Sequence, residues 1–148
     1  WARPSEIAAM RRKSSPSCGI TMVKSITPHT IKQHCVSDCS FIAGLCISAA
    51  FERRFNRKLV SSIIYPRDPK TGMPMYNPKG VYMVKLWLNG VARRVLVDDT
   101  LPVDDRGRLL CSHTTPLVKT DGGNDLELWV PILEKAYMKL CGGYDFPG

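Results

Sequence analysis

The 148-residue sequence predicts an α+β domain that is mainly helical and carries one β-hairpin. Apolar residues recur at helical spacing in residues 38–55 and again in residues 129–140, and each segment predicts a helix with one buried face. Two β-rich runs, residues 81–88 and 91–97, flank Asn89-Gly90, a dipeptide that favours the tight turn of an antiparallel hairpin. A chain of this length is sufficient for one domain with a single core.

Composition and charge pattern disfavour two classes, membrane-spanning proteins and nucleic-acid-binding proteins. No apolar run approaches the roughly 20 residues that a membrane span requires, so no membrane span is predicted. The formal net charge is +8, but the basic residues form small separate groups without interleaved aromatics, so we predict no nucleic-acid partner. The six cysteines are spread through a chain of ordinary hydrophobicity, which favours a reducing compartment and a cytoplasmic location.

The first segment, residues 1–28, is punctuated by Pro and Ser and has weak hydrophobic periodicity. It predicts a linker that leads into a domain spanning residues 29–148. Because the chain begins with Trp1 rather than Met, we expect it to be internal to a longer protein.

The first predicted helix begins after Asp38, a residue type that commonly caps helices, and gathers Arg53 and Arg54 near its other end, where cations complement the helix dipole. Its predicted buried stripe comprises Phe41, Ile42, Leu45, Cys46, Ala49 and Ala50. Residues 59–65 predict one or two further helical turns. Residues 66–80 hold four prolines and two glycines and predict an irregular loop.

The last predicted helix carries the clearer apolar stripe, and Asn124 or Asp125 is predicted to cap it. Pro131 is tolerated in its first turn, and Gly142 is predicted to end it. We expect this helix to pack against the first predicted helix. The stripe comprises Trp129, Ile132, Leu133, Ala136, Tyr137 and Leu140.

Cys39 is the candidate nucleophile, because it follows Asp38 in the first turn of a predicted helix, where free backbone N–H groups and the helix dipole stabilise a thiolate. An acyl transfer on this sulfur needs hydrogen-bond donors for the oxyanion, and Gln33 is the candidate side-chain donor. The residues alone leave a second interpretation open, in which Cys39 is a small packing residue like most free cysteines.

Two groups of residues have the side-chain types of a metal site. Cys35, Cys39, His29 and His34 are zinc-ligand types, but no second compact ligand pair follows them, so structural zinc is disfavoured. Four carboxylates at residues 98–105 lack EF-hand spacing, which favours turn and ion-pair roles over calcium binding or acid–base catalysis. No cofactor is evident.

Several motifs, in one order, resemble the first catalytic subdomain of the calpain family of cysteine proteases, over residues 31–148. Ser40 stands where conventional calpains carry Trp, and this and other motifs most resemble the atypical calpain-7 or PalB type. The motifs are Gln33-x5-Cys39, Asp38-Cys39-Ser40-Phe41, Glu52-Arg53-Arg54-Phe55-Asn56, Ile64-Tyr65-Pro66, Tyr82-Met83-Val84-Lys85-Leu86, Asp98-Asp99-Thr100-Leu101-Pro102, Leu128-Trp129, Leu133-Glu134-Lys135-Ala136-Tyr137 and Gly142-Gly143-Tyr144-Asp145.

The resemblance implies the N-terminal, mainly helical half of a papain-like catalytic core, with Cys39 as nucleophile and Gln33 as oxyanion donor. It implies an intracellular endopeptidase that cleaves protein substrates through a thioester. The His and Asn partners belong to a second catalytic subdomain outside this chain, so the fragment alone is expected to be inactive. None of His29, His34 and His113 lies in a context that resembles the family's histidine. Endosomal sorting proteins are implied as partners of domains outside this chain.

Calcium is doubtful, because Thr30 stands where conventional calpains carry an acidic calcium ligand three residues before the Gln. Two other function classes stay open on the sequence. One is a non-catalytic calpain-like interaction module, and the other is a basic binding domain.

Overall fold

The computed structural model describes residues 1–12, 18–115 and 125–144. Within them the chain forms three helices and seven strands, which confirms the predicted α+β class. The helices are α1 (Pro4–Arg12), α2 (Cys39–Phe55) and α3 (Trp129–Cys141). The strands are β1 (Ile20–Thr21), β2 (Ile31–Lys32), β3 (Ile64–Tyr65), β4 (Val81–Leu88), β5 (Val91–Asp98), β6 (His113–Thr114) and β7 (Leu126–Glu127). No helix in the described ranges is long and apolar enough to cross a membrane.

Helix α2 confirms the first predicted helix, with Asp38 at the N-cap position. It ends at Asn56, whose φ of 50° is left-handed, a conformation that Asn tolerates better than most residues. The predicted stripe was too wide: Ala50 is exposed and Cys46 only half-buried. Burial raises the pKa of the Cys46 thiol, in line with a packing role. The buried residues of α2 are Ile42, Leu45, Ala49 and Glu52.

The predicted hairpin is confirmed by antiparallel pairing of β4 and β5 along their whole length, from Val81 opposite Asp98 to Leu88 opposite Val91. Asn89 and Gly90 connect them with φ values of 50° and 77°, the positive angles that a two-residue turn of this type requires. Strand β3 pairs with β4 to complete a three-stranded sheet. The prediction for residues 59–65 was wrong in part, since a single 3₁₀ turn, Ser61–Ile63, passes directly into β3.

Helix α3 lies deepest in the core, with Trp129, Ile132 and Ala136 fully buried. Pro131 falls in its first turn and Gly142 ends it with a φ of 110°, both as predicted. The predicted cap was wrong for Asp125, because Leu128 occupies the N-cap position. Asp125 instead accepts a hydrogen bond from the Gly19 backbone N–H at 2.7 Å and pairs with Lys24. Asn124 lies outside the described residues.

The prediction that residues 1–28 form a linker is wrong. Helix α1 lies inside this segment, and its Ile7 and Ala8 are essentially unexposed. Met22 and Ile26 are buried in the same core, and β1 pairs with β7 immediately before α3. The Arg3 guanidinium anchors the start of this segment to the buried Asp99 carboxylate at 3.0 Å. Residues 1–12 and 18–28 therefore form an integral part of the domain.

Replacing Ile7 with alanine is expected to lower the free energy of unfolding by about 2–5 kcal/mol, because the side chain has no exposed surface and its loss leaves a cavity. Ile47→Ala is the matched control, because Ile47 is 71% exposed and its truncation removes little buried surface. Chemical denaturation measures both. Equal, small effects of the two variants would restore the linker interpretation.

Candidate active site

Cys39 is the first residue of α2, and its thiol is exposed to solvent. The first N–H groups of a helix have no intrahelical acceptor and carry the positive end of the helix dipole. The helix is fixed behind the thiol by the buried Ile42 and Leu45. Cys39 is therefore presented to solvent at the start of a packed helix, with backbone donors beside it.

Gln33 follows β2, which pairs with β6 through Ile31 opposite Thr114 and Lys32 opposite His113. Its side-chain Nε2 donates to the Val36 carbonyl oxygen at 2.9 Å and to Asp38 Oδ1 at 3.3 Å. Gln33 is thus fastened to the loop that leads into α2. Both hydrogens of the amide are engaged within this loop, so one of them must be exchanged before Gln33 donates to a bound substrate.

Asp38 links these two predicted site residues, since it holds the Gln33 amide and immediately precedes Cys39. It occupies the N-cap position, but its side chain makes no capping hydrogen bond and is only 2% exposed. The carboxyl turns into the protein, toward the carboxyl of Glu134 on α3. Burial raises the Asp38 pKa, against the opposing effect of its hydrogen bonds.

Helices α2 and α3 meet beside the candidate nucleophile, as predicted. The rings of Phe41 and Tyr137 stack with their centroids 4.3 Å apart and their planes 10° apart. Offset ring stacking contributes stability beyond the area it buries. This contact ties the first turn of α2 to the middle of α3, so α3 braces the position of Cys39.

Each of the three histidines has its own surroundings. His34 Nδ1 lies 2.8 Å from Cys35 Sγ, and His113 Nδ1 donates to the Cys111 carbonyl oxygen at 3.0 Å. Burial lowers the His113 pKa. His29 is exposed on a 3₁₀ turn. Within residues 1–12, 18–115 and 125–144, no histidine forms a hydrogen bond with Cys39.

Two acidic residues at and after the end of β5, Asp98 and Asp104, bind cations of the protein itself. Asp98 accepts from Lys135 Nζ at 2.5 Å, and this ion pair with its hydrogen bonds from Thr100 outweighs desolvation and lowers the Asp98 pKa to about 2. Asp104 accepts from the Arg108 guanidinium at 2.6 Å across a turn. Where the chain is described, no group of three or more His, Cys, Asp or Glu side chains is arranged to hold a metal ion.

Thr30, which the resemblance places where conventional calpains carry a calcium ligand, is buried. Its hydroxyl donates to the Thr27 carbonyl oxygen at 3.3 Å. A buried neutral hydroxyl engaged in this way offers no charge to a hard dication.

Sequence reasoning missed Glu134, which is fully buried although it is an acid. The signal for its burial was present, because Val130 and Met138 lie four residues to either side of it on the same helical face, and both are buried. An acid between two apolar residues at this spacing points into the core. Its partner was not predictable from helix periodicity, because Asp38 lies far away in the sequence.

The chain was compared with known proteins. Residues 1–146 match the family described as calpain family cysteine protease. The whole chain is 54% identical to calpain-7 of Mus musculus and 53% identical to calpain-7 of Homo sapiens, and it spans 16% of the length of each. It is 34% identical to the calpain-like protease palB/cpr-8 of Neurospora crassa over 151 aligned residues, 15% of that protein's length. The predicted resemblance to the calpain-7 and PalB type is confirmed.

Proposed function

Because the chain belongs to the calpain family of cysteine proteases, we propose that it is the part of a cysteine endopeptidase that carries the nucleophile Cys39 and the oxyanion donor Gln33. One observation supports this most directly. An exposed thiol stands on the first residue of a helix with a buried face, and the residue before it holds the Gln33 carboxamide. In this arrangement a side-chain donor is bound to the residue that precedes the nucleophile, at the start of a helix whose first N–H groups are also donors.

In the proposed reaction the Cys39 sulfur attacks the scissile carbonyl carbon, and the carbonyl electrons move onto oxygen. Backbone N–H at the start of α2 and the Gln33 amide donate to this oxyanion. Its collapse expels the amine with a proton and leaves a thioester on Cys39, which water then hydrolyses. The general base is a histidine oriented by an asparagine, both supplied by a second catalytic subdomain outside this chain.

The chain spans about one sixth of the calpain-7 relatives that it matches, so activity is proposed for the full-length protein and not for this part alone. The proposed substrates are intracellular proteins, cleaved at internal peptide bonds in the cytoplasm. Endosomal sorting proteins are proposed as partners of regions outside this chain. Thr30 provides no carboxylate for calcium, so this half is proposed to act without that ion.

Selective alkylation tests the proposed nucleophile. In the full-length protein, iodoacetamide is expected to modify Cys39 at least about tenfold faster than Cys35, because the external base proposed above takes the proton from the Cys39 thiol. Cys35 is a stringent competitor, because it is also exposed and its sulfur lies next to a His34 ring nitrogen. Peptide mapping by mass spectrometry measures the two rates.

Preferential labelling of Cys35 would overturn the assignment and make the His34–Cys35 pair the reactive site. Equal, slow labelling of both thiols would favour a non-catalytic module that keeps the calpain fold.

A further inference from the structure

A pair of buried carboxyl groups lies directly behind the candidate nucleophile. Glu134 has no exposed surface and Asp38 is 2% exposed. The two side chains contact each other through their carboxyl groups, one from the residue before Cys39 and one from the middle of α3. Acids in such surroundings are rarely ionised together, because the interior disfavours each charge and the two charges repel.

One buried oxygen of the carboxyl pair lacks a hydrogen-bond donor, and a single proton would supply one. Asp38 Oδ1 accepts from the Gln33 amide, whereas Asp38 Oδ2 is buried with no donor among the described residues. Both carboxyl oxygens of Glu134 accept from the Ser112 backbone N–H, at 3.0 Å and 3.1 Å. A proton on Glu134 would complete the set, because it converts one of these acceptors into a donor for the Asp38 carboxyl.

Burial and the neighbouring acid act in the same direction on Glu134. Burial is the larger cause, and together they raise the Glu134 pKa from 4.5 to about 7. Burial also raises the Asp38 pKa. The pair therefore keeps one proton well above the pH at which an exposed carboxyl loses it.

The other titratable groups around the pair stay neutral through this range. Burial raises the pKa of Cys111 and of Tyr144, two groups that interact electrostatically with both carboxyls, and it also raises that of Tyr137 on α3. Lys135, which follows Glu134 on α3, binds Asp98 and the Thr100 carbonyl oxygen at 2.5 Å each. Within this cluster, Glu134 is the group whose pKa lies near neutral pH.

We propose that Asp38 and Glu134 share one proton and together act as positioning residues that hold the Gln33 carboxamide beside Cys39. This inference rests on the proposed function and deepens it. With one proton, the pair joins the start of α2 to α3 and presents one charged oxygen to the Gln33 amide. Loss of that proton places two negative charges in contact, which separates α3 from the loop that carries Gln33.

Glu134→Gln tests the shared proton. A glutamine amide donates to Asp38 Oδ2 as the protonated acid does, and its carbonyl oxygen accepts from Ser112, but it does not titrate. Glu134→Leu removes the donor and leaves Asp38 Oδ2 buried and unpaired. Glu52→Gln is the matched control. Glu52 is also a buried helical glutamate, and its carboxylate accepts from the backbone N–H groups of Leu59, Val60 and Ser61, away from the site.

The first readout is the melting temperature of the full-length protein as a function of pH. A folded-state pKa raised above the unfolded value gives stability that is complete below about pH 4.5 and is lost as the pH rises through about 7. Glutamine has no such loss. The melting temperature of Glu134→Gln minus that of the wild type is therefore expected to rise across this window and level off above it. A flat difference would overturn the shared proton.

The second readout is peptide hydrolysis at neutral pH. Glu134→Leu is expected to lower kcat by about 10²-fold with little change in KM, because the misplaced amide acts only in the transition state. Glu134→Gln is expected to restore kcat close to the wild-type value, and Glu52→Gln to leave it unchanged. A wild-type kcat in Glu134→Leu, or equal losses in Glu134→Leu and Glu52→Gln, would overturn the positioning role.

The two readouts separate the possible failures. If Glu134→Leu does not fold, the comparison of Glu134→Gln with the wild type still decides whether the proton is shared. If the wild-type protein cleaves peptides but the melting difference is flat, the carboxyl pair is overturned and the protease stands. If the melting difference rises but no peptide is cleaved, the protease is overturned, and with it the positioning role.

Discussion

Replacing Cys39 with alanine in the full-length protein is expected to abolish peptide hydrolysis, with a loss of about 10⁴- to 10⁶-fold in kcat. The reason is chemical, because alanine has no atom that can form the thioester and the remaining groups only bind and polarise the substrate. The substitution removes an exposed sulfur and no buried surface, so the melting temperature is expected to stay near the wild-type value. Steady-state kinetics with a peptide substrate and a thermal scan measure the two quantities.

Cys35→Ala is the matched control for this prediction. Cys35 is exposed in the same loop and has an imidazole nitrogen 2.8 Å from its sulfur, so it is the alternative nucleophile that the structure offers. We expect Cys35→Ala to retain activity. Loss of activity in Cys35→Ala, with activity retained in Cys39→Ala, would exchange the roles of the two cysteines.

Replacing Gln33 with alanine is expected to lower kcat by about 10²- to 10³-fold while KM changes little. The amide is expected to act on the oxyanion, a charge that the substrate carbonyl acquires only in the transition state. Gln33 Nε2 now donates to the Val36 carbonyl oxygen at 2.9 Å and to Asp38 Oδ1 at 3.3 Å. We expect the bond to the Val36 carbonyl oxygen to be the one exchanged for the oxyanion, because Asp38 is the group proposed to hold the amide in position.

Asn77→Ala is the control for loss of a loop carboxamide. Asn77 donates to the Val81 carbonyl oxygen at 2.9 Å, in a loop that contains none of the predicted site residues. It is expected to leave kcat unchanged. A Gln33→Ala enzyme with wild-type kcat, or a loss that appears only in KM, would remove Gln33 from the oxyanion site and leave the backbone of α2 as the source of donors.

The elements that sequence patterns predicted correctly are those whose signal lies within their own residues. Helix α2, helix α3 and the β4–β5 hairpin each carry their own signal, either an apolar stripe at helical spacing or the Asn89-Gly90 turn. Cys39 is found at the predicted end of the predicted helix for the same reason. These elements would be recognisable even in isolation.

The features that were missed depend on contacts between distant segments. Helix α1 has only about two and a half turns, and its Ile7 belongs to a core cluster that also includes Met22, Ile26 and residues from distant segments. Helix propensity and hydrophobic periodicity describe one segment at a time, so they do not indicate burial by distant segments. The Asp125 cap failed likewise, because Lys24 and the Gly19 backbone N–H compete for that carboxylate.

The role of Asp38 was predicted correctly in position and wrongly in chemistry. Its place before the helix suggested a capping side chain, yet the carboxyl turns inward to the Gln33 amide and to Glu134. The residue pattern predicts where the helix begins, but the groups that the Asp38 carboxyl meets in the core determine its hydrogen bonds.

Capture of the covalent intermediate tests the central claim most directly. The full-length protein is mixed with a slowly deacylating peptide ester and quenched in acid, and mass spectrometry then locates the acyl group. The account predicts a thioester on Cys39, absent from Cys39→Ala and present in Cys35→Ala. An acyl group on any other residue, or peptide cleavage with no acyl group on the Cys39 peptide, would contradict it.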